Sequence, residues 1–205
     1  MKFLKPTIVL IALVLGFSQN SYSQNSYSFT INYTPSLPMG DVADFTGDFT
    51  WRGVSLDTRF FVNENITVGF LTGWEVFRSE SDGVVSEEVN LDDITATISA
   101  KQFRFTNSVP LLLTSHYHWG RIGDVRPYVG LGAGLYYITQ RVEMGLYALE
   151  DETTRFGLSP SLGVMLPVFY SASLNLGVQY NQAFGVNDYS GISYLSFNVG
   201  LTWGD

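Results

Sequence analysis

The chain has 205 residues, with 19 acidic and 11 basic side chains, a formal net charge of −8, two histidines and no cysteine. This length fits a single domain, and the lack of cysteine excludes a disulfide framework and thiolate zinc sites. Because the acidic chain contains no block of lysine or arginine, it lacks the electrostatic footprint of a nucleic-acid-binding protein. Aromatic residues make up 15% of the chain and there are 20 glycines, which favours a β-rich fold bounded by interfaces.

Residues 1–23 have the pattern of a secretory signal peptide. Two lysines precede an apolar run at Thr7–Phe17, and small residues occupy the −3 and −1 positions of a cleavage site before Gln24. The apolar run is shorter than the roughly 20 residues that a membrane-spanning helix needs, which disfavours an uncleaved anchor. We therefore expect a signal peptide at 1–23 and a mature domain at 24–205, with a formal charge of −10.

Eight segments of the mature chain alternate apolar and polar side chains with a period of two. Such alternation, in segments of about ten residues, is typical of the strands of a membrane barrel. The last segment is the clearest, because every second residue from Leu195 to Trp203 is apolar. In chain order the predicted strands are 28–33, 53–62, 66–76, 109–119, 128–137, 156–166, 174–181 and 194–203.

The connections between the predicted strands alternate in length. The short ones are 63–65, 120–125 and 167–171, and the longer ones are 36–50, 78–98, 140–154 and 183–191. Short turns at one end and long loops at the other are typical of an outer-membrane barrel, with the long loops outside the cell. Both ends of the mature chain are then expected on the periplasmic side.

Alternation alone leaves open which face of the strands points outward, since a soluble lipocalin-like barrel or a sandwich also alternates. The polar face is rich in glycine, serine, threonine and asparagine, which suits the crowded interior of a small barrel. The apolar sets end in aromatic residues, as interfacial girdles do; these are Trp74, Tyr137 and Tyr180 at one end and Tyr117, Trp119 and Trp203 at the other. We therefore predict an all-β, eight-stranded antiparallel up-and-down transmembrane β-barrel.

Pro110 and Pro160 fall inside predicted strands, where each removes a donor from the hydrogen-bond ladder. A closed barrel has no edge strand that could accommodate a proline. We therefore expect β-bulges at these positions, or strands that bend or end near them.

Several short motifs resemble those of the OmpA/OmpW-like family of small outer-membrane β-barrel domains. The motifs are Pro38-Met39-Gly40-Asp41, Trp51-Arg52-Gly53, the Asn65…Gly69…Gly73 hairpin return, and the segment 126–134 (RPYVGLGAG). The resemblance covers nearly all of residues 28–203 and implies a barrel in the cell outer membrane. Members of this group include structural barrels, adhesins, channels for small hydrophobic solutes and lipid-modifying enzymes, so the resemblance does not select an activity.

Charged and polar residues fall on the face predicted to line the barrel interior. If the second hairpin pivots on Glu64, Arg59 lies opposite Gly69 and Asp57 lies opposite Leu71. The pair could form a gate that opens for a solute or a plug that fills the lumen, and the narrow interior of an eight-stranded barrel favours the plug. The candidate lumen network comprises Asp57, Arg59, Glu75, His116, His118, Arg126, Tyr128, Asn175, Gln179 and Asn198.

His116 and His118 form an H-x-H pair on one strand face, a spacing that can chelate a transition metal. No third ligand is evident, and the predicted hairpin places His116 near Tyr128 and His118 near the cationic Arg126. We therefore expect lumen hydrogen bonding here and no metal or other cofactor.

We expect no catalytic residues in this chain. It contains no G-x-S-x-G element, its histidines fall at the short-turn end, and Glu75 is a lone carboxylate. Acidic residues at Glu80, Asp82, Glu87, Glu88, Asp92 and Asp93 could bridge to lipopolysaccharide through divalent cations, or could simply solvate the loop. No calcium-binding D-x-[DN]-x-[DN]-G loop is present.

The sequence leaves three hypotheses for function. The first is a non-enzymatic barrel with a structural envelope or surface-interaction role, the second is a channel for small or hydrophobic solutes, and the third is an outer-leaflet lipid-modifying hydrolase. The expected partners are outer-membrane lipid and lipopolysaccharide, the barrel-assembly machinery through the C-terminal strand, and surface ligands of the long loops, with no nucleic acid.

Overall fold

The computed structural model describes residues 27–47, 49–91, 94–145, 147–169, 171–185 and 190–204. The predicted signal peptide at 1–23 lies outside these ranges. The elements are β1 (Tyr27–Tyr33), β2 (Ser36–Met39), α1 (Asp41–Thr46), β3 (Gly53–Phe61), β4 (Ile66–Leu91), β5 (Ile94–His118), β6 (Arg126–Met144), β7 (Tyr147–Phe169), β8 (Ala172–Ala183) and β9 (Ile192–Trp203). In the part of the chain that is described, no helix is long and apolar enough to cross a membrane.

Eight strands close into an antiparallel ring. The pairing runs β1–β3–β4–β5–β6–β7–β8–β9, and β9 pairs back onto β1. Strands that are adjacent in the ring follow one another in the chain, apart from the short β2 and the closure of β9 onto β1. This arrangement is the up-and-down topology. The short β2 follows Thr34 and Pro35 and continues along the same edge of β9, from Ser36 opposite Ser196. The predicted eight-stranded antiparallel transmembrane barrel is confirmed.

The inner and outer faces of the barrel strands carry the side chains that the alternation predicts. On β9, Ser196, Asn198 and Thr202 are buried, whereas Val199 and Trp203 are exposed on the outer surface. The same division holds around the ring, so that polar groups fill the interior and apolar groups cover the outside. A lipocalin-like barrel would bury the opposite set, and that alternative is excluded.

Two of the predicted long loops are wrong. The segments 78–98 and 140–154 belong mainly to strands, because β4 and β5 pair as far as Leu91 and Ile94, and β6 and β7 pair as far as Met144 and Tyr147. These four strands stand above the rest of the barrel as a tall wall at the loop end. Charged side chains such as Arg78, Glu80 and Lys101 replace apolar ones on the outer face of the wall, so the pattern no longer marks a strand.

The remaining connections agree better with prediction. The turns after β3 and β5 lie where they were expected, while β7 continues to Phe169 and shortens the predicted turn at 167–171. The predicted first loop at 36–50 contains β2 and α1. Val42 of α1 packs against Phe77 and Tyr194 inside the barrel, so the helix covers the lumen at the loop end.

The predicted bulges at the two prolines are wrong. Pro110 pairs with Tyr136 and Pro160 pairs with Leu131, and no register shift occurs at either position. On the other side of each proline, in the β4–β5 ladder for Pro110 and the β7–β8 ladder for Pro160, two residue pairs are missing. The pairing then resumes in the same register. The barrel therefore accommodates each missing N–H by a local gap in one ladder. The shifts that do occur lie between Glu80 and Val84 and between Pro167 and Phe169.

Candidate functional site

The candidate site is the polar interior of the barrel, and its short-turn end is built around an ion pair. Arg59 Nε donates to Asp57 Oδ2 at 2.8 Å, and Arg59 Nη2 lies 2.7 Å from the same oxygen. Both side chains are only 2% exposed. The guanidinium also lies over the Tyr128 ring, 4.7 Å from its centroid. Arg59 pairs with Gly69 and Asp57 with Leu71, so the predicted pivot on Glu64 is confirmed.

The two histidines lie beside this ion pair. Both rings contact the Tyr128 ring with centroid distances of 5.6 Å. His116 Nε2 lies 4.0 Å from Asp57 Oδ2, and His118 Nε2 shares a hydrogen bond of 3.2 Å with Thr67 Oγ1. A Cβ atom at Gly130 would collide with the His116 ring, so glycine at this position makes room for the imidazole.

The predicted register of the histidine hairpin is wrong by two residues. His118 pairs with Tyr128 and His116 with Gly130, whereas the sequence pattern predicted His116 near Tyr128 and His118 near Arg126. The turn between β5 and β6 centres on Gly123, which adopts a positive φ of 87°. Glycine tolerates this left-handed conformation, and the turn therefore closes one residue later than expected.

Arg126, which follows the turn between β5 and β6, connects this turn to the one between β3 and β4 at the short-turn end of the interior. Its Nη2 donates to the carbonyl of Glu64 at 2.7 Å, across the barrel floor in the turn between β3 and β4. Its guanidinium lies 5.7 Å from the centroid of the Phe61 ring. The side chain is fully buried, so Arg126 closes the end of the lumen.

A chain of hydrogen bonds crosses the interior above the ion pair. Tyr128 Oη donates to Asn175 Oδ1 at 3.0 Å, and Asn175 Nδ2 donates to Asn32 Oδ1 at 2.8 Å. Asn32 Nδ2 in turn donates to Ser55 Oγ at 3.2 Å. Side chains of β6, β8, β1 and β3 are thereby linked inside the lumen.

A second network occupies the middle of the barrel and is centred on Asn181. Its Oδ1 accepts hydrogen bonds from Tyr136 Oη and Gln179 Nε2, each at 3.0 Å. Asn198 joins through its Nδ2, which donates to Gln179 Oε1 at 3.2 Å. The predicted lumen network contains Gln179 and Asn198 but not Asn181 or Tyr136, although Asn181 shares the inward face of β8 with Gln179.

Glu75 lies apart from the ion pair and the histidines, closer to the loop end. It is buried, and Tyr194 Oη donates to its Oε2 over 3.5 Å. Tyr194 also shares a hydrogen bond of 3.0 Å with Ser108 Oγ. Tyr194 also belongs to a cluster of buried apolar side chains, which the alternation does not predict because they occur singly. Its other members include Val42, Leu71, Phe77, Leu112, Ile138, Ala183 and Ile192.

The interior thus brings together most of the predicted lumen residues in connected networks and leaves Glu75 separate. Within the described ranges, no group of three histidine, aspartate or glutamate side chains is placed to hold a metal ion. The arrangement binds the strands to one another through side-chain hydrogen bonds, while Asp57 Oδ1 and the Nδ1 atoms of both histidines are buried without a hydrogen-bond partner. The acidic side chains of residues 82, 87, 88, 92 and 93, on which the suggested cation bridge depends, lie outside the described side chains.

No protein-family model matches the chain, and no curated protein sequence is recognisably similar to it. Among solved structures, Neisserial surface protein A is 15% identical with a TM-score of 0.51, over 88% of this chain and 97% of that one. The chain has the fold of the outer-membrane β-barrels. The outer membrane protease OmpT from Escherichia coli is 10% identical with a TM-score of 0.50, over 92% of this chain and 100% of that one.

These comparisons confirm, for the fold, the resemblance that the sequence motifs predicted. A surface protein and a protease share the architecture, so the fold does not select one activity. The features of this chain that bear on its function are the filling of the barrel interior and the surface at the loop end.

Proposed function

We propose that the protein resides in the cell outer membrane and acts without catalysis, in a structural envelope or surface-interaction role. The filled lumen carries this proposal: the large side chains of Arg59, Arg126, Tyr136 and Tyr194 are each no more than 2% exposed. An eight-stranded barrel is just wide enough for its side chains to fill. Separating Arg59 from Asp57 would leave a buried charge uncompensated, at a cost of about 3–5 kcal/mol, which favours a plug over a gate.

The loop end supplies the surface for such a role. The tall wall continues above the outward-facing Trp74 and Tyr137, and its outer face carries charged side chains such as Arg78 and Lys101. We propose that the apolar belt below contacts outer-membrane lipid and that the charged wall contacts lipopolysaccharide or other surface ligands. We also propose that the barrel-assembly machinery recognises β9. Aromatic residues at the boundary of the belt are typical of membrane interfaces.

The location and orientation can be tested through a single residue. Lys101 is the only lysine of residues 24–205, and its side chain is 55% exposed at the loop end. A membrane-impermeant amine reagent applied to intact cells is expected to label the wild-type protein at Lys101 and to leave Lys101→Arg unlabelled. Labelling of Lys101 only after the outer membrane has been broken would contradict the proposed orientation.

The plug can be tested by conductance. The refolded mature protein is expected to give no discrete openings in a planar lipid bilayer, because the ion pair and its neighbours fill the lumen. A variant with Asp57→Ser and Arg59→Ser removes the pair and serves as the comparison. Regular openings of the wild-type protein that match those of this variant would replace the plug with a channel.

A channel for hydrophobic solutes is the second candidate, and one observation favours it. Phe77, Leu112, Ile192 and other buried apolar side chains line part of the lumen, and they offer a small apolar solute a favourable environment. Proteoliposomes with the wild-type protein should take up an apolar fluorescent probe no faster than empty liposomes if the lumen is plugged. Faster uptake that Leu112→Trp abolishes would favour the channel.

Two observations support the absence of catalysis. The side-chain partner of Glu75 is the Tyr194 hydroxyl, and no second carboxylate joins it among the described contacts. The hydrogen-bonded pair of His118 and Thr67 is buried at the short-turn end, away from the outer leaflet. Overexpression should therefore leave the mass spectrum of lipid A unchanged, and new cleavage products would support the hydrolase instead.

A further inference from the structure

A polar crevice opens at the loop end, above the apolar cover that α1 places on the lumen. Its volume is about 410 Å³, and it lies between α1 and the inward faces of β4 and β5. Asp44 and Phe45 line it from the helix, Ser79 from β4, and Gln102 and Arg104 from β5. Pockets of this size accommodate small organic ligands.

Arg104 is held in a fixed orientation inside this crevice. Its Nε donates to Gln102 Oε1 at 3.1 Å, and its guanidinium lies 5.4 Å from the centroid of the Phe45 ring. Within the described ranges, Arg104 forms no ion pair. Its terminal N–H groups therefore remain to bind an anionic ligand, and the planar guanidinium suits a carboxylate in a bidentate arrangement.

Arginines on the outer face of the same wall are placed differently. Arg78 Nη2 lies 3.8 Å from Glu80 Oε2, and Arg141 Nη2 lies 2.7 Å from Glu143 Oε1. Their charges are offset by neighbouring carboxylates. Arg104 is half-buried in the crevice, and among the described residues it forms no ion pair, which sets it apart as a recognition residue.

The other lining groups restrict the class of ligand. Asp44 adds one negative charge, which opposes multiply charged anions such as phosphorylated ligands and accepts hydrogen bonds from hydroxyl groups. Ser79 adds a hydroxyl, while Gln102 holds Arg104 in place. One cation for one carboxylate, together with Asp44 and Ser79 as groups that bind hydroxyls, matches a sugar that carries a single carboxylate.

We propose that this crevice binds an acidic saccharide of the uronic-acid type. Arg104 contacts the carboxylate of the sugar, and Asp44 and Ser79 contact its hydroxyl groups. The inference rests on the proposed surface-interaction role, because it supplies a ligand for the loop end. The saccharide belongs either to the envelope of the same cell or to a glycan outside it.

The test uses the full mature protein, refolded in detergent micelles and titrated with galacturonate and with galactose by calorimetry. Galacturonate should bind saturably, with a dissociation constant on the order of 1 mM, as expected for a small ligand with few contacts. Galactose should bind about tenfold more weakly or worse, because it lacks the charged group. Equal binding of the two sugars, or no saturable binding of galacturonate, overturns the proposal.

Two matched variants separate this site from general charge effects. Arg104→Gln should abolish the preference for galacturonate, whereas Arg78→Gln removes the same charge from the outer face and should leave the preference intact. Circular dichroism of both variants establishes that the barrel has folded. Unchanged binding by Arg104→Gln, or equal losses in the two variants, contradicts the assignment.

Competition identifies the source of the saccharide. Displacement of galacturonate by the core oligosaccharide of the cell's own lipopolysaccharide indicates a ligand in the envelope, and displacement by an oligogalacturonide alone indicates an external glycan. Displacement by neither overturns the proposal. Binding is measured in micelles, whereas location is measured by Lys101 labelling in cells, so failure of the saccharide site and failure of the proposed location give different results.

Discussion

The two ends of the barrel interior are filled by different chemistry. At the short-turn end, Asp57 and Arg59 form a buried ion pair that contacts His116 and Tyr128. At the loop end, apolar side chains such as Phe77 pack beneath the helix that covers the lumen. A polar filling is stable only when its charges and hydrogen-bonding groups are paired, whereas an apolar filling depends on volume.

This difference bears on where the barrel tolerates change. The short-turn end is sensitive to the loss of one partner in a pair, and the loop end is sensitive to small changes in side-chain size. The plug and the recognition surface can therefore vary independently, since the crevice lined by Arg104 lies above the apolar layer and shares no described hydrogen bond with the ion pair.

The largest effect is expected when the buried pair is broken. Arg59→Met leaves the Asp57 carboxylate buried without its cation and should lower the free energy of unfolding by about 3–5 kcal/mol. Urea unfolding in lipid vesicles, followed by tryptophan fluorescence, measures the loss. The double variant Asp57→Asn with Arg59→Met should lose less than Arg59→Met alone, and an equal or greater loss would show that the pair acts through packing.

A smaller effect is expected where glycine makes room for the histidine. Gly130→Ala places a methyl group against the His116 ring, and the overpacking should cost about 1–3 kcal/mol. Gly132→Ala is the control on the same strand face, because its methyl group would meet Leu112 Cδ1 at 3.2 Å, the end of a flexible side chain. The same assay should give a clearly lower free energy of unfolding for Gly130→Ala than for Gly132→Ala. The reverse order would contradict this account of the histidine pocket.

At the loop end a change of one methylene group tests the importance of volume. Ile138→Val removes that group from the apolar cluster, where the side chain is 1% exposed, and should cost about 0.5–1.5 kcal/mol. Ile31→Val makes the same change on the outer surface, at 42% exposure, and should cost less. Equal losses would mean that the loop-end interior is loosely packed.

The smallest effect is expected for an exposed ion pair of the same length as the buried one. Lys101 Nζ lies 2.7 Å from Glu80 Oε1, and the hydrogen bond from Lys101 lowers the pKa of Glu80 below its ordinary value. A lowered carboxyl pKa means that any stabilisation is present above the ordinary pKa and is lost as the pH falls through the lowered value. Solvent screens this pair, so its contribution to stability is small.

Carboxyl-carbon NMR should therefore show a Glu80 pKa that moves up towards the ordinary value in Lys101→Gln. The unfolding midpoint should change little in the same variant. A midpoint shift as large as that of Arg59→Met would remove the distinction between buried and exposed pairs on which the comparison of the two regions rests.

Hairpin register shows how far the sequence could predict the site. The three-residue turn centred on Glu64 allows one register for β3 and β4, and the predicted positions of Asp57 and Arg59 are confirmed. The longer turn between β5 and β6 allows more than one centre, and the left-handed Gly123 selects one that the pattern did not reveal. The histidine neighbours were therefore predicted wrongly although the strands themselves were right.

The alternating pattern was sufficient to predict a barrel with polar groups inside, because a closed ring of strands satisfies every backbone group in lipid and period two places each residue on one face. Only ring closure decided that Asn175 would reach Asn32, 143 residues away, and that Arg59 would lie over Tyr128. The stagger and tilt of all eight strands set these distances together, and no local segment contains that information. The height of the wall and the helix that covers the lumen depend on the same tertiary contacts.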